Sequence, residues 1–159
     1  MENDNPTVQS EPVTAPATGY KNGSDMLLSL DGKCIGHCTS HKIQYGSDTK
    51  SHNVKAPESE AATGSALFTE ETVTGLNYQI DFEGLEHNEE TENSAGLIRK
   101  AWRAAKPVEV KLFERGKKET PYLVGYCIIS SLSEDYPAAD DTSFSGSLKN
   151  CGAPSVFTA

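Results

Sequence analysis

The sequence predicts a mainly β domain with one flanking helix and one long loop between strands, and three observations carry that reading. Residues 72–85, TVTGLNYQIDFEGL, alternate apolar Leu76, Tyr78, Ile80 and Phe82 with polar neighbours, the period of a half-buried strand. Asp31-Gly32 follows the apolar run MLLSL and suits the positive φ angles of a tight hairpin turn. A helical period occurs only at residues 94–106, where Leu97, Ile98, Ala101, Trp102 and Ala105 recur on one side and Arg99, Lys100, Arg103 and Lys106 lie towards the other.

The elements follow in order. Residues 1–22 read as a flexible arm: they hold prolines at 6, 12 and 16, several Ser and Thr, and too few large apolar groups to offset the entropy of ordering. Order is expected from about residue 23, with a first strand in MLLSL and a return strand continuing through KCIGHCTSHKIQY. Residues 46–69 have neither a strand nor a helix period and are expected to form the long loop, with Leu67 and Phe68 docking on something near its end. After the strand at 72–85, acidic residues from Glu86 to Glu92 precede the helix, where they complement its positive N-terminal end, and Asn93 or Ser94 supplies the cap. Pro107 stops the helix. PVEVKLFER forms the next strand, PYLVGYCIISSL reads as a central strand apolar on both faces, and TSFSGSLKN closes the series, for about seven strands in all. Residues 153–159 are expected to be a tail without an element of its own.

Length and charge narrow the function. A chain of 159 residues builds one domain with a sizeable core rather than two. Its formal charge of −9 and its lack of clustered Lys and Arg argue against a protein that grips nucleic acid, although such a surface would let DNA slide past. The opening MENDNPT has no signal-peptide character and no apolar run suits a membrane span, so the four cysteines (34, 38, 127, 151) are expected to be reduced thiols in a cytosolic, soluble chain.

Catalytic and metal readings find little support. Cys34, His37, Cys38 and His41 would share one helical face and could there ligate zinc. Gly36, the preceding turn, and Ile43 and Tyr45 at period two favour a strand instead, which would send the two cysteines one way and the two histidines the other. No metal site, cofactor or catalytic group is therefore expected. His52 and His87 are isolated in polar stretches, and Trp102 and Tyr78 read as core aromatics.

The segment GSDMLLSLDGKCIGHCTSHKI resembles the opening hairpin of phage major tail tube proteins, in which a strand of the form xxIGxxTS leads into a long loop. The segment PVEVKLFERGKKETPYLVGYCIISSLSEDYPAADDTSFSGSLKNCG is similar to that family's closing pattern, where GxxxIxSLS precedes an acidic turn and a last strand. The resemblance spans about residues 23–152, and its weight lies in the order and spacing of the motifs. It implies a β-sandwich or barrel-like subunit of the siphophage type with no enzymatic activity, six copies to a ring, and rings stacked into a hollow tube through which the genome leaves the capsid. Implied partners are further copies of the chain, the tape measure protein, the tail terminator and the baseplate or tail tip, in a virion tail assembled in the host cytoplasm, with no membrane and no specific DNA binding. Polar residues Gln79, Asp81 and Glu83, with Glu109 and Lys111, become candidates to face the lumen. Val54, Pro57, Glu58, Glu60, Leu67 and Phe68 become candidates for contacts between subunits or rings. The alternatives are a tail terminator, a contractile-system tube protein, or a small soluble β-rich binding module.

Overall fold

The structure is a computed structural model that describes residues 19–52, 69–88 and 91–158. Eight strands and one helix follow a short 3-10 turn at Gly23–Asp25: β1 Met26–Leu30, β2 Lys33–Cys34, β3 Cys38–His52, β4 Glu70–Leu85, α1 Ala95–Ala104, β5 Val108–Glu114, β6 Leu123–Asp135, β7 Ser143–Asn150 and β8 Val156–Phe157. All pair antiparallel in one sheet of order β2-β1-β5-β6-β7-β4-β3, and β8 adds to the start of β6.

The order of strands forces the sheet to curl. β2 and β3 stand at opposite ends of it, yet only Ile35, Gly36 and His37 separate them in sequence. Laid flat, the six gaps between seven strands would span about 29 Å at roughly 4.8 Å each. From Cys34 to Cys38 the chain reaches about 14 Å at most. The ends must therefore come together, giving an open barrel in place of a flat sheet, and α1 packs against the core through Ala95 and Ile98.

One face of β1, β4, β5, β6 and β7 lines the core. Leu28 and Leu30 of β1, Val110 and Leu112 of β5, Leu123 and Cys127 of β6, Phe144 and Leu148 of β7, and Tyr78, Ile80 and Phe82 of β4 are buried together. Each large apolar side chain so placed contributes about 1.5 to 3 kcal/mol of transfer free energy. Two glycines make room for the aromatics: Phe82 is paired with Gly146 and Phe144 with Gly84, and a methyl at either glycine would come 2.6 Å from the ring of its Phe. The two rings meet edge to face with centroids 6.3 Å apart.

The Asp31-Gly32 turn forms as the sequence predicts, both residues taking positive φ (49° and 85°). Asn93 fastens this hairpin to the entry of α1, its side-chain amide donating to the carbonyls of Leu30 (2.8 Å) and Lys33 (2.7 Å). Ser94 occupies the N-cap without a side-chain cap bond, and the helix ends at Ala105 in the left-handed region, two residues before Pro107.

Several expectations are corrected. KCIGHCTSHKIQY is not one strand: His37 takes a φ of 50°, and the chain turns there from one end of the sheet to the other. Residues 46–52 are strand rather than loop, paired to 70–77. Leu76 keeps the strand period but is 77% exposed, because β7 covers β4 only from Gln79 to Leu85. Trp102 is 53% exposed rather than core. β6 is central but is covered on one face only, since Tyr126 and Ile128 lie open to solvent. The C-terminal segment, expected to lack structure, holds β8. Among the described residues no helix is long and apolar enough to cross a membrane.

Candidate assembly surfaces

Four strands, β3, β4, β7 and β6, form a panel whose outer face is polar. Across it run Ser40, Lys42 and Gln44, then Glu83, Asp81 and Gln79, then Ser145, Ser147 and Lys149, and then Ser133 and Ser131. These residues alternate with the core side chains, so strand geometry alone sets them on the far side of the sheet. Asp81 anchors the centre, accepting hydrogen bonds from Ser147 Oγ (2.5 Å) and Gln79 Nε2 (3.0 Å). The Ser147 bond, followed by the Gln79 bond, holds its carboxyl below the ordinary range. With Asp135 at its rim, the face carries Asp81, Glu83 and Asp135 against Lys42 and Lys149, an excess of one negative charge.

The five residues singled out on sequence for a lumen all point away from the core, but they do not form one group. Gln79, Asp81 and Glu83 lie on the panel. Glu109 and Lys111 lie on β5, paired to the first half of β6 opposite Tyr126 and Val124, and they form an ion pair of 3.3 Å with each other. The serines of β7 and the second half of β6 were missed. Their signal was present in the alternation of TSFSGSLKN and SSLSED, but a serine alone does not announce a face. Val54, Pro57, Glu58, Glu60, Leu67 and Phe68 lie outside the described residues.

Both margins of the panel are unpaired among the described residues. β3 is bonded only to β4, and β6 has no partner on its α1 side from Ile128 to Asp135, because β5 pairs it only from Leu123 to Cys127. Beyond the panel, residues 46–52 and 70–77 continue as a two-stranded arm with no third strand beside it among the described residues. Its apolar side shows Leu76 together with Tyr45, 58% exposed and in ring contact with Phe157 at 5.7 Å.

The cysteine and histidine cluster behaves differently from either sequence reading. The break at Gly36 and His37 brings Cys34, His37, Cys38 and His41 to the wall of one cleft of about 800 Å³, between β1 and β2 on one side and β3 on the other. They still do not converge: among the described residues no three His, Cys, Asp or Glu side chains gather as a metal cage. Burial pushes the thiols of Cys34 and Cys38 up, which disfavours the thiolates a metal would need. His37 instead packs on His87 with ring centroids 4.5 Å apart, and a Cβ at Gly36 would lie 2.3 Å from the His87 ring, which would have to move.

An open curled sheet, a polar panel with two free margins and a projecting arm define a subunit fold built around exposed edges. Known structures place that fold. The tail of an empty gene transfer agent particle, computed with helical refinement and C6 symmetry, superposes with a TM-score of 0.69 at 17% identity, covering 88% of this chain and 100% of that one. The virion of the native gene transfer agent particle gives a TM-score of 0.67 with the same identity and coverage. The SPP1 tail tube gives 0.56 at 13% identity, covering 82% of this chain and 76% of that one. No family model and no curated protein matches the sequence. The chain has the fold of phage tail tube proteins.

Proposed function

We propose that this chain is the repeating subunit of a hollow virion tail tube, with a structural rather than a catalytic role. The observation that carries the reading is the pair of free margins flanking one polar panel. β3 of one copy can hydrogen-bond to the Ile128–Asp135 stretch of β6 in the next, an arrangement that uses two different edges and so closes a ring by rotation. Six copies of a four-stranded panel make a barrel of about 24 strands, wide enough to hold an aqueous channel. The sixfold symmetry of the gene transfer agent tail supports that number.

In such a ring the panel faces the bore, with Gln79, Asp81, Glu83 and the serine rows lining it. The panel is only slightly acidic and mostly uncharged, so DNA passes a hydroxyl-rich surface that neither binds its phosphates nor strongly repels them. The acidity of the chain resides elsewhere. Glu109 and Lys111 lie off the panel and are placed outside the bore. The arm, together with residues 53–68 that connect its strands, makes contacts between copies. The tape measure protein, a terminator and a baseplate or tip are the partners that such a tube requires, in a virion assembled in the host cytoplasm.

A second reading is a component of a baseplate, favoured by the likeness to a protein of the anti-feeding prophage baseplate (TM-score 0.50, 8% identity). Negative-stain electron microscopy of purified protein across a concentration series tests the proposal. Rings or tubes with a central hole are expected; a monomer at every concentration, including after addition of preformed tail tips, would refute it.

A further inference from the structure

Resting on the tube reading above, we infer that the groove between the C-terminal end of α1 and the free margin of β6 is the seat for the β3–β4 arm of a neighbouring copy. The groove, of about 410 Å³, is lined by Ala101, Trp102, Arg103, Lys106 and Ile128. Its floor is apolar and open, with Trp102 and Ile128 53% and 48% exposed. Its rim is basic: α1 has no acidic residue, and Arg103 and Lys106 have no ion-pair partner among the described residues.

The arm is complementary in both respects. It presents Tyr45 and Leu76 as exposed apolar groups and carries Asp48, Glu70 and Glu71 against a single Lys50, with none of the three acids in an ion pair among the described residues. Matching an acidic apolar surface to a basic apolar one gives attraction at a distance and burial on contact.

Strand register brings the two together. Gln44, Gln79, Lys149 and Ile128 are consecutive partners and form one row across the panel. When β3 of one copy joins the free margin of β6 in the next, Gln44 arrives beside Ile128, and the arm, which leaves the panel two residues later, passes over Trp102 and Lys106. A stagger that tilts the strands slides this contact along the arm without removing it. The same join leaves the apolar floor covered, where a lone subunit exposes it.

Two charge-reversed forms of the full chain test the inference. Arg103→Glu with Lys106→Glu reverses the groove; Asp48→Lys reverses the arm near the point where it leaves the panel. Each form alone is expected to need at least about tenfold more protein to assemble than the unaltered chain. Mixed one to one they are expected to assemble like the unaltered chain, because each arm then meets a groove of opposite charge. Sedimentation velocity reads the mixed pairs even where tubes do not form, so failure of the tube reading and failure of this contact are separable. Recovery on mixing also excludes misfolding of either form. Unchanged assembly by either form alone, or no gain on mixing, would overturn the assignment.

Discussion

Replacing Gly146 with Ala is the sharpest test of how the panel is packed. The added methyl would stand 2.6 Å from Cζ of Phe82 and 3.0 Å from the carbonyl oxygen of Ser131. Carbon atoms in contact prefer about 3.5 to 4.0 Å, so the ring must move by roughly 1 Å. It has nowhere to go, since its edge rests on Phe144 and its strand is fixed by pairing on both sides. Inserting a methyl into such a site costs about 1 to 3 kcal/mol. In a domain of this size each kcal/mol lowers Tm by about 2 to 4 °C. Urea denaturation under conditions that keep the chain monomeric gives the value without a contribution from assembly. Phe82→Leu alone removes buried ring surface and is also destabilising, but it vacates the space the methyl needs. The double variant is therefore expected to be more stable than the sum of the two losses by at least about 0.5 kcal/mol. Strict additivity would mean that Phe82 and Gly146 do not share that space, and the packing argument would fall.

Other consequences can be checked directly. Asn93→Ala removes both amide bonds that tie the β1–β2 hairpin to α1 and should cost about 1 to 3 kcal/mol in denaturation, since two carbonyls lose their donor. Trp102→Ala, at a half-exposed position, should cost the monomer less than about 1 kcal/mol, well under the 3 to 5 kcal/mol of a core aromatic, while still weakening assembly. Asp81 and Glu134 both have depressed carboxyl pKa values, the first from Ser147 and Gln79, the second from Tyr136 and then Arg99. Their stabilisation is complete above the unfolded values near 3.8 and 4.5 and is lost as pH falls through the lower folded values; Asp81→Asn should flatten that acid limb in a pH series of melts. Native thiol labelling followed by mass spectrometry should modify exposed Cys151 well before Cys127, which is buried and held towards the thiol form; equal rates would contradict the burial pattern.

The sequence was informative wherever one face of an element is dry. Tyr78, Ile80 and Phe82, Val108, Val110 and Leu112, and Phe144 and Leu148 all declared their strands by period two, and each lies in the core. Asp31-Gly32 announced its turn because few other dipeptides tolerate two positive φ angles. Period fails where both faces are wet. Residues 46–52 are polar on each side because the arm has no sheet behind it, so a strand there looks like a loop. Trp102 and Ile128 misled in the opposite sense: both are large apolar side chains in apolar patterns, yet each is about half exposed. Pairing partners were out of reach altogether, since nothing local in KCIGHC shows that Cys34 and Cys38 belong to opposite ends of the sheet.

That short link from Cys34 to Cys38 also has a mechanical meaning. It stitches the two ends of the curled sheet with covalent bonds, and with only Ile35, Gly36 and His37 between them the stitch has little reach. Widening the subunit would stretch main chain, whereas sliding or hinging one copy against another breaks only hydrogen bonds and side-chain contacts. A tube of the kind proposed above, built from such units, bends at its joints and keeps a constant calibre, as a string of rigid beads does.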